Sequence, residues 1–181
     1  MHAALSKVLL RNKPILLVEH VSVFGGIDDD TVKCRISASK LLKPPFTPSK
    51  MVLTLQGRPN EPITLTKLYV GHAAGAGDAW DAASFTQVTV NAATSFTIGA
   101  GCRLQTDRVA FAWDRVTDII ISMHAGSTPT SDALAADLDG TSLIGTTYLK
   151  SGADTAATAN DTGFTTFAGY LSLVTAIEVF P

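Results

Sequence analysis

The residue types in this chain that carry chemistry are few, and each set falls short of a complete constellation. Gly77-Asp78-Ala79-Trp80 has the outline of a nucleophile turn, but position 79 is alanine. An acyl-transfer site needs a nucleophile there, a base within hydrogen-bond reach and a pair of oxyanion donors. The stretch reads instead as a glycine-rich loop in which Asp78 and Asp81 turn the chain and Trp80 either packs or stays open for binding. His72 and His124 each end a run of strand-forming residues and are expected side by side at one edge of the fold. Two imidazoles alone make a poor metal site, since zinc takes three or four protein ligands. Asp28-Asp29-Asp30 is too short for a calcium loop, and Asp137-Leu138-Asp139-Gly140 lacks the later acidic ligand. No catalytic residue, metal or cofactor is assigned.

The two cysteines, Cys34 and Cys102, fit neither a disulfide framework nor a metal cluster. Two buried thiols, an internal bridge and a bridge to a neighbouring subunit are all open, and free buried thiols are the favoured expectation. Trp80, Trp113, Tyr148 and Tyr170 have the faces a sugar platform needs, but Trp113 stands at strand parity, where core packing is the usual fate. The candidate ligand or partner contacts are therefore Trp80 in its loop, Asp78 and Asp81 beside it, and Tyr148.

The elements that must position these groups are strands. From Ile63 to His124 the chain is a ladder of β-branched and aromatic residues at period two, broken by glycine and small polar residues every eight to twelve or so positions. That is the pattern of a sandwich or barrel. Within 63–72 the apolar parity passes from Ile63 and Leu65 to Leu68 and Val70, which predicts a bulge near Lys67. Ile119-Ile120-Ile121 is continuously apolar and predicts a central strand covered on both faces. Met51 to Gly57, with Met51, Leu53 and Leu55 on one face, is expected to form a hairpin with 63–72 through the turn at 57–62.

Further strands are expected over Ile15–Val23, over Thr31–Ser37 with Val32, Cys34 and Ile36 on the inner face, over 146–150, and from Tyr170 to Phe180. Phe24 to Asp30 reads as a turn. Residues 1–14, which mix Lys7, Arg11 and Lys13 with Val8, Leu9 and Leu10 before Pro14, are expected to be an arm. The proline-rich connection 43–48 is a candidate sub-boundary inside a single domain spanning 15–181. Residues 125–165 are a long excursion rich in small polar residues, in which Ser131 to Leu138 has the composition of a short capped helix.

At 181 residues, 46% hydrophobic and 17% charged, the chain has enough apolar surface to offset the entropy of ordering. A net charge of −2 leaves no basic stripe for phosphates, so nucleic acid is not an expected partner. No stretch approaches the roughly 20 apolar residues of a membrane span, and the N-terminus carries no signal-peptide pattern, so a soluble protein is expected.

Several strings together carry a resemblance: Glu61 to Ala73 (EPITLTKLYVGHA), Gly77 to Asp81 (GDAWD), Thr86 to Val90, Phe96 to Gly101, Thr106 to Phe111 and Asp118 to His124. In this order they resemble a β-sandwich module of bacteriophage virion proteins, similar to the accessory jelly-roll domain of SGNH (GDSL-like) hydrolases, over residues 50–124 and more loosely the closing strand. The hydrolase group's catalytic domain has no counterpart here: the Gly-Asp-Ser block and the later Asp-x-x-His are missing. The resemblance thus implies an all-β, jelly-roll-like antiparallel sandwich that is not an enzyme. It implies a structural part of a phage virion, in a tail, neck, fibre-anchor or capsid-decoration position, assembled in the bacterial cytoplasm. A homo-oligomer contacting other virion proteins is expected. The second reading is a carbohydrate-binding module that takes a surface glycan at Trp80.

Overall fold

The computed structural model describes residues 14–19, 29–57, 59–126, 136–137, 145–167, 170–171 and 173–181. The expected arm up to residue 13, most of the turn at 24–30, the acidic string beyond Asp137 and most of the helix expected at 131–138 lie outside them.

The fold is all-β. In chain order the strands are β1 Ile15–Glu19, β2 Thr31–Ile36, β3 Lys50–Gln56, β4 Ile63–His72, β5 Thr86–Gln87, β6 Phe96–Ile98, β7 Arg103–Gln105 and β8 Val109–Ala110. They continue with β9 Ile119–Ala125, β10 Ala136–Asp137, β11 Gly145–Lys150, β12 Thr165–Phe167, β13 Tyr170–Leu171 and β14 Val174–Phe180. One 3-10 turn, Ala38–Lys40, follows β2. A five-stranded sheet runs β1-β14-β3-β7 with β8 also on β3, and a seven-stranded sheet runs β12-β11-β2-β9-β4-β5 with β6 also on β4. All pairings are antiparallel.

The order of pairing is that of a long hairpin rolled up. The first strand pairs with the last (β1 with β14), the next with β9, β3 with β7 and β8, and β4 with β5 and β6, successive pairs alternating between the sheets. That connectivity is a jelly roll. The segment between β9 and β14 is an insertion: it adds β11 and β12 outside β2 and forms a separate ribbon, β10 with β13.

The strand parities fill one core between the sheets. Val32, Cys34 and Ile36 from β2, Met51, Leu53 and Leu55 from β3, and Ile119, Ile121 and Met123 from β9 all belong to a single cluster with no solvent exposure. The parity change in β4 is resolved by a register shift against β9 between Leu65 and Lys67. This bulge lets Ile63, Leu65, Leu68 and Val70 all point inward at 0% exposure. Strand β9 is central, between β2 and β4, and every one of its residues is buried. Trp113 lies in the same core, with its indole N–H donating to the Thr117 carbonyl at 2.9 Å.

Four expectations need correction. Strands β3 and β4 do not form a hairpin; β3 pairs with β14, β7 and β8, and β4 with β9, β5 and β6. Both strands carry a wholly apolar face, and these faces meet across the sandwich rather than edge to edge, so the turn at 57–62 carries the chain from one sheet to the other. The closing run is not one strand. Tyr170–Leu171 pairs with Ala136–Asp137, which also removes the end of the expected helix, and β14 begins only at Val174. Neither Cys34 nor Cys102 is in a disulfide, and only Cys34 is buried. Cys102 is exposed because it sits in the turn between β6 and β7, its N–H donating to Gly99 at 3.1 Å. The connection 43–48 links the two sheets, and residues on both sides of it share the one core.

His72 and His124 supply the fourth correction. In the register of β4 on β9, His72 lies opposite Ile119 while His124 lies opposite Lys67. Antiparallel pairing therefore puts them at opposite ends of the sheet, about 17 Å apart at the usual strand rise.

Candidate functional site

Of the four candidate contact residues, the fold brings Trp80, Asp81 and Tyr148 together with residues the sequence did not single out. They meet on the outer face of the seven-stranded sheet, beneath the connections 74–84 and 151–164. Tyr148 in β11 lies opposite Lys33 in β2, and Lys33 lies opposite Ser122 in β9, so the three side chains share that outer face.

Trp80 is half-buried and held on several sides. Its ring meets Tyr148 edge-on at 5.4 Å between centroids and Phe164 at a tilt at 5.8 Å. Its indole N–H donates to the Asp161 carbonyl at 2.7 Å. Asp81 is buried and serves as a clasp. One carboxylate oxygen accepts the Asp78 N–H at 2.8 Å and the other the Asp161 N–H at 3.3 Å, joining the two connections. Gly77 makes the clasp possible: its φ is +108°, and a Cβ there would lie 2.5 Å from Asp81 Oδ2. Asp78 remains exposed and enters only through its backbone.

Under this lid lies Lys33, at 0% exposure. Its Nζ donates to the Thr158 carbonyl at 2.9 Å and the Ala159 carbonyl at 3.4 Å, and stands 4.8 Å from the Phe164 ring centroid and 5.5 Å from that of Phe85. Burial pushes the ammonium pKa down, opposed by the charges of Asp161 and Asp81 and assisted by Lys150. Lys150 donates to both Asp161 oxygens, at 2.9 and 2.8 Å. Desolvation acts to raise the Asp161 carboxyl, but the Lys150 hydrogen bond and the Thr162 N–H hold it below the usual carboxylate range.

Neighbouring parts of the outer face are covered in the same way. Ile120 packs with Ala73 and Ala82, and the Thr31 hydroxyl donates to the Ala153 carbonyl at 2.6 Å. His124 shares a 2.6 Å hydrogen bond between Nδ1 and the Thr66 hydroxyl, with Asp29 Oδ1 3.4 Å from Nε2; Lys67 pairs with Asp154 at 2.8 Å.

This arrangement is a staple. Apart from the exposed Asp78, its cations and carboxylates are engaged with one another and with backbone groups, and its aromatic rings with each other. Among the described residues no group of three or more His, Cys, Asp or Glu side chains is placed to hold a metal ion. The His72 ring stacks on the core residue Phe111 at 4.6 Å between centroids and is not part of the Trp80 cluster. Among the described residues no helix is long and apolar enough to cross a membrane.

The sequence alone does not single out Lys33, because strand parity places it only on the face opposite Val32, Cys34 and Ile36. Phe164 and Asp161 lie in the polar excursion, with no local pattern that marks them as partners of Trp80. No family model and no curated protein matches the chain.

Proposed function

We propose that this chain is a non-enzymatic structural component of a phage virion, in a tail, neck, fibre-anchor or capsid-decoration position, and that it acts through subunit contacts. The observation that carries this reading is the inequality of the two sheets. Around β11, β2 and β9 the seven-stranded sheet is covered on both faces by its own chain, down to a fully buried lysine, while Thr86, Gln87 and Thr97 at its β5 and β6 side are exposed. Among the described residues no connection crosses the outer face of the five-stranded sheet; there Leu16 is 41% exposed, and Val52, Ala176 and Phe180 are buried among long polar side chains. A sandwich that lays its own connections over one sheet and leaves the other faced by side chains alone suits a subunit that finishes its burial against a neighbour. Jelly rolls build viral shells as well as lectins, so the fold is compatible with the reading by analogy only.

The rival reading, a glycan platform on Trp80, is weakened by the indole's engagement with Tyr148, Phe164 and Asp161. Assembly in the bacterial cytoplasm, virion proteins as partners, and no role for nucleic acid or membrane belong to the same proposal.

The test is light scattering and electron microscopy of the purified chain, with antibody labelling of source particles. A symmetric oligomer or labelled particles is the expected result. A strict monomer that binds a glycan array, and loses that binding on Trp80→Ala, overturns it.

A further inference from the structure

The bare face of the five-stranded sheet is electrically distinct from the rest of the molecule. Its outward residues follow from register: Met51, Leu53 and Leu55 of β3 point into the core, so Lys50, Val52 and Thr54 point out. Arg103 and Gln105 of β7 lie opposite Gln56 and Thr54, and Glu178 of β14 lies opposite Val52. Arg108 completes the face, its guanidinium 4.2 Å above the Phe180 ring. This face presents three cations, Lys50, Arg103 and Arg108, against the carboxylate of Glu178, and the register of β1 sets Glu19 opposite Ala176 on the same face. Two shallow depressions lie on it. One of about 390 Å³ is bordered by Leu16, Arg103 and Glu178, and the other, of about 430 Å³, by Lys50, Arg108 and Phe180.

The opposite side of the sandwich has the reverse sign. The segments over the seven-stranded sheet bring six carboxylates, Asp29, Asp30, Asp78, Asp81, Asp154 and Asp161, against Lys33, Lys67 and Lys150, and the Arg35–Asp118 pair adds one charge of each sign. Two of the six remain open to solvent: Asp29, whose side chain is 59% exposed, and Asp78.

From this two-sided charge we infer that the bare face of the five-stranded sheet is the docking surface for the acidic outer side of a second copy of this chain, a head-to-tail contact. The inference rests on the assembly reading above and specifies its interface. An isologous contact of this face with itself would bring two surfaces with the same surplus of cations together, a like-charge juxtaposition that disfavours it. A heterologous contact instead places Leu16 and the Phe180 depression under a partner whose surplus is carboxylate. Heterologous contacts repeat, giving a ring when the rotation closes and a filament when it does not.

The experiment compares the wild-type chain with Arg103→Glu/Arg108→Glu, with Asp29→Asn/Asp78→Lys, and with the control Lys40→Glu on the exposed 3-10 turn. Mass photometry and sedimentation are run across a salt series, with thermal melts to confirm that each variant is folded. Asparagine is used at position 29 because the φ there is +54°, a conformation it tolerates. The wild type is expected to associate, and to dissociate as salt rises. Each double variant should raise the association midpoint roughly tenfold or more, and the control should leave it unchanged. Carbodiimide, which joins a carboxylate to an amine with loss of water, should link Lys50 of one copy to Asp29 or Asp78 of another.

If the wild type associates but both double variants match it, this interface is refuted while the assembly reading stands. A wild type that stays monomeric at low salt refutes both.

Discussion

Replacing Trp80 separates a staple from a binding platform, and the size of the effect follows from its contacts. Trp80→Ala removes two aromatic contacts, to Tyr148 and Phe164, and the hydrogen bond to the Asp161 carbonyl. Each aromatic pair contributes about 0.5–1.5 kcal/mol beyond area burial. The hydrogen bond contributes about 1 kcal/mol net. The ring is only half-buried, so the total falls at the low end of the range for a core tryptophan, about 2–4 kcal/mol. Trp80→Phe keeps an aromatic ring and loses the N–H, and should cost about 1 kcal/mol.

The assay is urea denaturation followed by fluorescence. The chain has two tryptophans, so in either variant Trp113 alone reports on the core. Hydrogen exchange should rise first in the amides of 151–164, which Trp80 and Asp81 hold down, and little in β9. Unchanged stability and exchange in Trp80→Ala would refute the staple, and with it the argument that Trp80 is unavailable to a glycan.

Gly71→Ala should destabilise the fold by about 1–3 kcal/mol or more in the same denaturation assay, because a Cβ there would lie 2.1 Å from the Ser84 carbonyl oxygen and force the connection off the sheet. Asp114 should titrate at about 2 by NMR: desolvation works to raise it, but the Thr117 hydroxyl, the amides of Thr117 and Val116 and the nearby His72 outweigh that. Since the folded value is depressed, the stabilisation by this turn is complete above the ordinary aspartate range near pH 4 and is lost as pH falls through about 2; Asp114→Asn should remove that component of acid sensitivity. A thiol reagent should label the native chain once, at Cys102, and a second time at Cys34 only after denaturation; two labels in the native state would contradict the buried position of Cys34.

Strand parity and turn chemistry are local properties, and they were legible. Val32, Cys34 and Ile36 face the core, Ile119 to Ile121 form a central strand, and the parity change after Leu65 marks a real bulge. Such features depend on which side of a pleated backbone each residue occupies, and two or three neighbours suffice to decide it. The loop around Trp80 was legible as a candidate contact from its glycines and aspartates, but not as a staple.

What the sequence left undecided was set by pairing between distant segments. Alternation says that β3 and β4 each have an apolar face, yet it cannot say that these faces meet across the sandwich; that depends on β14 arriving from the end of the chain to lie between β1 and β3. The same holds for His72 and His124, which look alike as strand ends and are separated because β4 and β9 run in opposite directions. It holds most of all for Lys33. Period two assigns this residue to the outer face of β2, and only the connection 151–164, more than a hundred residues away in the chain, turns that outer face into an interior. A buried ammonium is tolerable only where carbonyls, rings and carboxylates converge on it, and a set of partners so remote in the chain can be assembled only by the tertiary fold.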